Sequence, residues 1–563
     1  MRPRVLPLVF AVTGTLILSG CASKPSVEVS IPEQPTWIPN GLTYAERAEY
    51  YHLPEGSELI PYVVLANITS VKTGKPFLEQ MERFGFVPDI QSTTNRHGLP
   101  IGLTTVRSRD QSITGLEMAG FNCAACHVGK MTYRGKSIVI DGAPSLLNLQ
   151  AYQLELKDSL DATLKNPAKT MALVVEIDRE MRAADTPTPE KAVSYAADPA
   201  LKTAGNVDAA PTADPQFQNV PSAAADVTRP ATPRNALTFA DRLTWDVAFL
   251  KARLAYLKNG KLLFDGTEPG PGRIDAFGAA RNILFPRDAI RMQSPVSYPF
   301  IWDVPDPLHQ QVKGEDAWIH YDGNTNSLLE RNIGQAVGMG AVFDPITYKS
   351  TLRMANLHEL EVLTRKLKAP VWPAEILGPV DKGKAKTGEQ IFDAACADCH
   401  RNRLFPLTVA GTDPNRANSF GQPVGKKVPF PMAVKPILDG LKMRAFADDN
   451  ISPGVQATMD APKVVWRATG QYFARPLHGA WATAPYLHNG SVPTLWDLLH
   501  PDRRPAKFAV GSHEYDPVKL GYVTTSGWIF DTSQPGNSNA GHTFGANLSE
   551  EQKSVLLEYL KTI

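Results

Sequence analysis

The stretch Phe121-Asn122-Cys123-Ala124-Ala125-Cys126-His127 ends in the pattern C-x-x-C-H, which recurs at Cys396-Ala397-Asp398-Cys399-His400. Two thiols one helical turn apart can each form a thioether with one vinyl group of a haem, and the adjacent imidazole then lies beneath the iron as its proximal ligand. Four of the five cysteines of the chain belong to these two motifs. The pattern therefore predicts two covalently bound haem c groups, with proximal ligands His127 and His400.

A single C-x-x-C motif also occurs in sites without haem. A thioredoxin-like redox pair, half of a zinc site and a disulfide each account for two spaced cysteines without a histidine. None of them accounts for a histidine directly after both motifs. Because 563 residues exceed what one hydrophobic core normally serves, we expect two to four domains, with one domain for each haem.

The fifth cysteine, Cys21, follows an export signal. Arg2 and Arg4 precede an apolar run over residues 5–18, which is shorter than the roughly 20 residues of a membrane-spanning helix. The ending Leu18-Ser19-Gly20-Cys21 resembles the lipobox of bacterial lipoproteins. It implies lipid attachment to Cys21 and a protein anchored in the bacterial cell envelope, at the outer membrane facing the periplasm or the exterior. Export agrees with haem c, which is attached outside the cytoplasm in the bacterial cytochromes that the chain resembles.

Charge and composition limit the classes of partner and predict the boundaries between segments of the chain. With 58 basic and 57 acidic residues, a net charge of +1 and no long run of either sign, the sequence argues against nucleic acid as a partner. Shifts in composition predict the following segments. They are a signal peptide at 1–20, a tether at 21–40, an N-terminal haem domain at 41–182, a disordered insertion at 183–234, an aromatic-rich region between the haems at 235–378 and a C-terminal cytochrome c domain at 379–563.

Helices are expected next to both motifs. Residues 386–392, before the second motif, and residues 548–560, at the end of the chain, resemble the first and last helices of class I cytochromes c, and Ser549 suits a helix N-terminus. Residues 114–120 are expected to form a short helix before the first motif, with the next helix starting near Ser145. The predicted fold is mainly α, with two class I cytochrome c-like haem domains, long irregular connections and a few short strands.

The phrase Thr483-Ala484-Pro485-Tyr486-Leu487-His488-Asn489-Gly490-Ser491-Val492-Pro493-Thr494-Leu495, together with the two C-x-x-C-H motifs, resembles the dihaem cytochrome c peroxidase and MauG superfamily. The stretch 302–332 and the segment Gly536-Asn537-Ser538-Asn539-Ala540-Gly541-His542 resemble its rubber-oxygenase branch, which includes bacterial fatty-acid dioxygenases. The resemblance covers residues 41–563 apart from the insertion. A calcium ion between the haem domains is common in the superfamily, but no loop of this chain has a convincing set of calcium ligands.

The distal ligands decide what each haem can do, because an iron with two strong ligands transfers electrons and one with an open position binds oxygen or peroxide. For the C-terminal haem the resemblance implies His542 as distal ligand. Met432 is the alternative and would give the His/Met pair of electron-transfer cytochromes. For the haem on His127 we predict no distal protein ligand.

Aromatic and polar residues between the motifs are candidates for the pocket of that first haem. His320 and Tyr321 are expected to donate hydrogen bonds to bound oxygen, and Trp318 and Phe300 to form the apolar wall. Trp302 matches the tryptophan that the resemblance places between the haems, where transient oxidation of its indole would shorten the electron hop. Taken singly, each of these side chains is also accounted for as part of an aromatic core.

Three functions follow from these features. The first is an exported oxygenase that uses O2 at the N-terminal haem against an unsaturated apolar substrate. The second is a peroxidase that reduces H2O2 with electrons from a small cytochrome, which needs an acid-base group in the distal pocket. The third is a lipid-anchored electron carrier without substrate chemistry, in which both haems have two axial ligands.

Overall fold

Helices form most of the regular structure, and short strands lie between them. The computed structural model describes residues 35–109, 116–184, 236–259, 265–304, 318–400, 403–425, 428–460 and 463–563. The α-helices are α1 (Tyr44–His52), α2 (Tyr62–Asn67), α3 (Leu149–Leu164), α4 (Pro167–Ala184), α5 (Phe239–Asn259), α6 (Ala276–Leu284), α7 (Leu328–Gly338), α8 (Met354–Lys366), α9 (Ala374–Leu377), α10 (Lys382–Ala395), α11 (Leu407–Ala410), α12 (Asn415–Ser419), α13 (Phe430–Asp448), α14 (Pro453–Met459), α15 (Leu495–Leu498) and α16 (Glu550–Leu560). The signal peptide with Cys21, most of the tether and nearly all of the insertion lie outside the described residues.

The strands pair into small sheets. They are β1 (Thr36–Trp37), β2 (Ile60–Pro61), β3 (Leu103–Arg107), β4 (Glu117–Phe121), β5 (Val128–Tyr133), β6 (Lys136–Asp141), β7 (Arg273–Ile274), β8 (Val296–Ser297), β9 (Arg403–Pro406), β10 (Pro423–Val424), β11 (Val428–Pro429), β12 (Gln471–Ala474), β13 (Lys507–Gly511), β14 (Tyr515–Asp516), β15 (Gly521–Tyr522) and β16 (Gly527–Asp531). Two sheets have three strands, in the orders β1-β6-β5 and β2-β4-β3. The described part is therefore mixed, with helices predominant and more strand than the sequence suggested.

The first C-x-x-C-H motif lies between strands, so the helix expected at 114–120 is wrong where the structure describes it. Residues 117–121 form β4, the central strand of an antiparallel sheet, and β5 begins directly after His127. A Cβ on Gly120 would lie 2.0 Å from the carbonyl oxygen of Ser57, so the strand is pressed against its neighbour. Pairing and close packing outweigh the weak helical preference of this short segment. The next helix starts at Leu149, capped by Asn148, rather than near Ser145.

The second motif follows a helix, as predicted. Helix α10 ends at Ala395, and α16 carries a capping box in which Ser549 accepts a hydrogen bond from the backbone N–H of Gln552. A Cβ on Gly388 of α10 would lie 2.1 Å from the carbonyl oxygen of Val555 in α16, so the two helices cross at this glycine. This crossing places both helices beside the second C-x-x-C-H motif.

The hydrophobic core joins distant parts of the chain. One buried cluster combines Val139 of the β5–β6 hairpin with Trp302, Trp481 and Leu556. Two further clusters lie around α3 to α5 and around α7 with α13. The described residues from Pro35 onward form one compact unit, and the bounds predicted for separate haem domains stay predictions. Among the helices described, none has the length and apolarity needed to cross a membrane.

Candidate functional site

The first motif is held as a single turn by Asn122. The side-chain oxygen of Asn122 accepts a hydrogen bond from Ala124 N at 3.0 Å, and its amide group donates to the carbonyls of Tyr50 and Leu53, also at 3.0 Å. Backbone bonds from Cys126 and His127 to the carbonyl of Cys123 close the turn. Cys123, Cys126 and His127 therefore all line one cavity, which we call the N-terminal cavity.

Three of the four motif thiols have a raised pKa. Burial raises the pKa of Cys123 well above its ordinary value, the pKa of Cys126 to about 12 and that of Cys396 to about 11. A redox-active cysteine pair needs the opposite shift. The two motifs line different cavities, and the described ranges hold no group of three or more His, Cys, Asp or Glu side chains that could bind a metal ion. Neither a thioredoxin-like redox pair nor a zinc site formed by both motifs fits this arrangement.

The imidazole of His127 is fixed in one tautomer. Its Nδ1 donates a hydrogen bond to the carbonyl oxygen of Pro299 at 2.8 Å, because a carbonyl can only accept. Burial lowers the pKa of His127 to about 3, so the ring is neutral and Nε2 keeps its lone pair. A hydrogen bond from the second ring nitrogen to a carbonyl is the usual support of a metal-ligating histidine.

The N-terminal cavity has a volume of about 150 Å³ and mostly apolar walls. Its apolar side chains come from α6, α7, α13 and the loops near them: Phe277, Leu284, Met339, Phe420, Phe430, Val434, Leu438 and Trp466. Two guanidinium groups, those of Arg331 and Arg416, also line it. Arg416 donates to Asp322 Oδ1 at 3.0 Å, and its Nη1 has no hydrogen-bond partner among the described residues. Two thiols, an imidazole, an apolar chamber and two cations suit a haem c with its two propionates.

His320 lines the N-terminal cavity as a neutral base rather than as a donor. Its Nδ1 lies 2.7 Å from Asn324 Oδ1, so this nitrogen carries the proton and Nε2 has a free lone pair. Burial, assisted by Arg331 and Arg416, holds the pKa of His320 well below its ordinary value. In this tautomer Nε2 of His320 can accept a hydrogen bond rather than donate one to oxygen, and Tyr321 lies beside it in the cavity wall. Donation from Tyr321 to bound oxygen stays a prediction.

A buried carboxyl lies behind the first motif. Glu55 accepts a hydrogen bond from Gln335 Nε2 at 2.8 Å, and its other oxygen lies 3.7 Å from Cys123 Sγ. Burial raises the pKa of Glu55 to about 8. Glu55 is therefore protonated at neutral pH and adds no charge beside the cavity.

The second motif repeats this arrangement. Backbone bonds from Cys399 and His400 to the carbonyl of Cys396 close the turn, and His400 Nδ1 donates to the carbonyl of Arg475 at 2.8 Å. These side chains line a second cavity of about 300 Å³, called the C-terminal cavity, which is largely apolar and includes Leu556 of α16. Its residues also fit a haem c.

His542 faces His400 across the C-terminal cavity. The two ring centroids are 6.3 Å apart. An imidazole atom lies roughly 1.1 Å from the ring centre, as bonds of ~1.33 Å require, and metal–imidazole bonds are roughly 2.0–2.1 Å. Two imidazoles on opposite sides of one metal therefore have centroids about 6.3 Å apart. Burial lowers the pKa of His542 to about 4, so its ring is neutral. Met432 is 68% exposed on α13 and does not line the cavity.

His488 lies in the same cavity but pairs with Tyr472. Its Nε2 is 2.9 Å from the Tyr472 hydroxyl, and the two rings stack with centroids 4.2 Å apart. The tyrosine donates its own proton to the carbonyl of Asp413, so His488 is the donor of this pair. Burial lowers the pKa of His488 to about 3.

The chain resembles two curated rhizobial proteins and one family model. Residues 470–509 match the family described as RoxA-like, cytochrome c-like. Protein y4iJ of Sinorhizobium fredii is 27% identical over 95% of this chain and 95% of its own length. Protein y4iM of the same organism is 30% identical over 52% of this chain and 72% of its own length. The chain belongs to the same family as y4iM.

The family match fits the second site. The segment 470–509 includes Tyr472, Arg475 and His488, all of which line the C-terminal cavity. A RoxA-like cytochrome c domain implies covalently bound haem c and a haem-dependent oxidoreductase. The names of the two relatives, both given as uncharacterized proteins, state no activity.

The remaining predicted residues lie apart from the first cavity. Trp318 lies under the guanidinium of Arg467, with 3.3 Å between the guanidinium carbon and the ring centroid, and lines neither cavity. Phe300 lines the C-terminal cavity rather than the N-terminal one. Trp302 is fully buried behind Phe300, with the two rings stacked at 4.8 Å, and also lines neither cavity. The catalytic roles given to Trp302 and Trp318 stay predictions.

Sequence reasoning overlooked several groups that the fold brings to the cavities. Gln335 and Arg416 reach the first cavity from helical positions outside every motif, and the stretch 302–332 includes Arg331 without indicating its role. Arg475 precedes the family-like segment 483–495, yet nothing in that segment indicates the partners of this arginine. Tyr298, Pro299 and Tyr321 line both cavities, so the two sites share a wall.

Proposed function

We propose that this chain is an exported dihaem oxygenase in which the N-terminal site directs O2 at an unsaturated apolar substrate and the C-terminal site stores electrons. The observation that supports it is the difference between the cavities. Opposite His400 stands an imidazole at the separation that one metal requires, whereas the other imidazole of the N-terminal cavity, His320, is bound to Asn324 and packs edge-on against Phe277 at 5.1 Å. Bound haem supplies the oxygen and redox chemistry.

The side chains around His127 provide binding, orientation and exclusion of water. The Nδ1–H bond to Pro299 fixes the imidazole plane and increases the basicity of Nε2. Phe420, Phe430 and their apolar neighbours give a substrate a dry, hydrocarbon-lined chamber. Tyr321 has the hydroxyl that can donate a hydrogen bond into this chamber.

Reduction of hydrogen peroxide is the second candidate, and His320 favours it. A neutral Nε2 can accept a proton from H2O2, whereas O2 brings no proton for it to accept. A small cytochrome would then be the electron donor. The electron-carrier function, in contrast, needs a second axial ligand opposite His127.

Spectra of the purified holoprotein test these functions first. The proposal predicts two haems per chain by the pyridine haemochrome assay, with one high-spin and one low-spin signal in electron paramagnetic resonance. Carbon monoxide should bind the reduced high-spin haem. If both haems are low-spin and ignore carbon monoxide and cyanide, neither enzyme function survives and the electron carrier remains.

Activity then separates the two enzyme functions. The oxygenase should consume O2 with polyisoprene latex or oleate, and the peroxidase should oxidise reduced cytochrome c with H2O2. If His320 is the base of a peroxidase, H320Q should lower peroxide turnover by roughly 10²–10⁴-fold, while the exposed His478 is the matched control as H478Q. Oxygen uptake that H320Q leaves intact, with no peroxide turnover in the wild type, would favour the oxygenase.

Lipid attachment at Cys21 is part of the proposal. It rests on the Leu18-Ser19-Gly20-Cys21 ending. Cells fed a radiolabelled fatty acid should label the wild-type chain but not C21S, and C21S should leave the membrane fraction. An unlabelled wild-type chain would contradict the lipid anchor but would not bear on the proposed haem chemistry.

A further inference from the structure

Three hydrogen bonds connect the two proximal histidines through one arginine. His127 Nδ1 donates to the carbonyl of Pro299 at 2.8 Å, and His400 Nδ1 donates to the carbonyl of Arg475 at 2.8 Å. The side chain of Arg475 closes the gap, because its Nη1 donates to the carbonyl of Phe300 at 2.9 Å. Pro299 and Phe300 are consecutive residues, so the path contains only covalent bonds and hydrogen bonds.

The guanidinium of Arg475 is held in place from several directions. Its Nη2 donates to the carbonyl of Trp302 at 3.2 Å, and its Cζ lies 3.9 Å from the centroid of the Phe300 ring. The planar fork of an arginine can join two carbonyls and lie on an aromatic face at once, which a lysine cannot do. Arg475 also lines the C-terminal cavity.

Other routes between the sites are longer or less connected. The indole N–H of Trp302 donates to the carbonyl of His478 at 2.8 Å. This route also reaches both histidines, but it adds the backbone from Phe300 to Trp302 and from His478 to Arg475, so it is longer. Tyr321 lines both cavities, and its ring contacts that of His488, with 6.3 Å between the centroids. Of the routes through these described residues, the arginine path joins the two proximal imidazoles in the fewest covalent steps.

We propose that Arg475 is a positioning residue for electron exchange between the two haem sites, acting by joining the peptide that carries Pro299 and Phe300 to the backbone at His400. The inference rests on the proposed function only in needing both haems bound. With haem bound at both sites, one electron would pass from a ferrous iron at His400, which would be oxidised, to a ferric iron at His127, which would be reduced. Both imidazoles keep their Nδ1 protons, so no proton moves. An external one-electron reductant supplies the electron.

The test is pulse radiolysis of the oxidised holoprotein. A substoichiometric pulse of radical reductant puts at most one electron on each chain, and the absorbance of the two haems then reports the internal exchange. In R475K the fork to both carbonyls is lost while the charge remains, so we expect exchange to slow several-fold with both midpoint potentials unchanged. R475Q removes the charge as well and should slow exchange at least as much.

One variant serves as the matched control, and two others test the alternative routes. Arg281 is a buried arginine that donates to the carbonyls of Gln422 and Pro423 at 2.9 and 2.6 Å rather than to those of Phe300 and Trp302. R281K should therefore exchange electrons at the wild-type rate, whereas W302F and Y321F measure what the indole and the phenol contribute. Exchange in both Arg475 variants at the wild-type rate would overturn the proposal, and so would a slow phase that appears only in W302F or Y321F. Slowing that the measured potentials fully explain would also overturn it.

Failure of the proposed function gives a different result. The haemochrome assay and the spin states are measured on the same samples before the pulse. Two low-spin haems with an Arg475-dependent exchange rate would refute the oxygenase and leave the positioning role standing. Normal oxygen chemistry with an exchange rate that ignores Arg475 would do the reverse.

Discussion

His542 offers the sharpest test of the second site. Its ring centroid lies 6.3 Å from that of His400. Two imidazoles bound to one metal, each with its centroid about 3.15 Å from the metal, would have this separation. We therefore expect the C-terminal haem to be low-spin with two imidazole ligands. In H542A that haem should become high-spin, which converts one of the two haems of each chain, or half of the total haem.

Electron paramagnetic resonance measures this conversion directly. The low-spin signal should disappear from H542A, the high-spin signal should double, and added imidazole should restore the low-spin signal by entering the space that the side chain leaves. M432L is the control, because Met432 is 68% exposed on α13. M432L should keep the wild-type spectrum.

Two results would refute the reasoning. One is a low-spin signal that persists in H542A at wild-type intensity. The other is a low-spin signal that is lost in M432L, which would require α13 to move so that Met432 reaches the iron. Either would mean that the 6.3 Å separation reflects packing of two histidines and not shared ligation.

Three further predictions concern stability. Burial lowers the pKa of His488 from 6.5 to about 3, so the unfolded chain binds an extra proton and the free energy of unfolding falls on acidification from pH 6.5 towards pH 3. In urea titrations at several pH values, H488Q should lose this part of the acid sensitivity, on the order of 4 kcal/mol. The same loss in H478Q would contradict the assignment to His488. The effect of Glu55 on stability has the opposite pH dependence, because burial raises its pKa from 4.5 to about 8 and the folded chain keeps the proton. The stability of the wild type relative to E55Q should therefore fall as pH rises from 4.5 to 8. Urea midpoints that shift equally with pH in the wild type and E55Q would argue against this role. G388A should lower the free energy of unfolding by about 1–3 kcal/mol in thermal unfolding, because its Cβ would meet a backbone carbonyl of α16. G383A on the same helix, whose Cβ would have its nearest neighbour at 3.4 Å, should be neutral or slightly stabilising. Equal unfolding midpoints for the two variants would mean that the helices do not cross at Gly388.

The local sequence predicted more of the structure around the second motif than around the first. The helix before Cys396 and the closing helix with its Ser549 cap follow from capping chemistry and from the spacing of apolar residues, so both were predictable. The helix predicted before Cys123 was wrong because a five-residue strand between two neighbouring strands depends on pairing rather than on its own propensity. Gly120 was the available signal, since a glycine inside a buried segment often marks close backbone approach.

The distal and inter-site residues show the same division. His542 was chosen from a resemblance, and the fold brings it opposite His400 across 142 positions of the numbering, from 400 to 542. The tautomer of His320 could not be predicted, because it depends on Asn324 turning its oxygen towards Nδ1. Trp318 and Phe300 were assigned to one cavity from their proximity in sequence, but neither lines that cavity.

The sequence by itself determined which atoms can carry the chemistry: four thiols and two imidazoles in two fixed spacings, since thioether formation and iron ligation depend on local geometry. Only the tertiary structure decided how the two sites differ. The imidazole that faces His400, the side chains that line each chamber and the arginine that joins His127 to His400 are all brought together from distant segments by burial of a shared hydrophobic core.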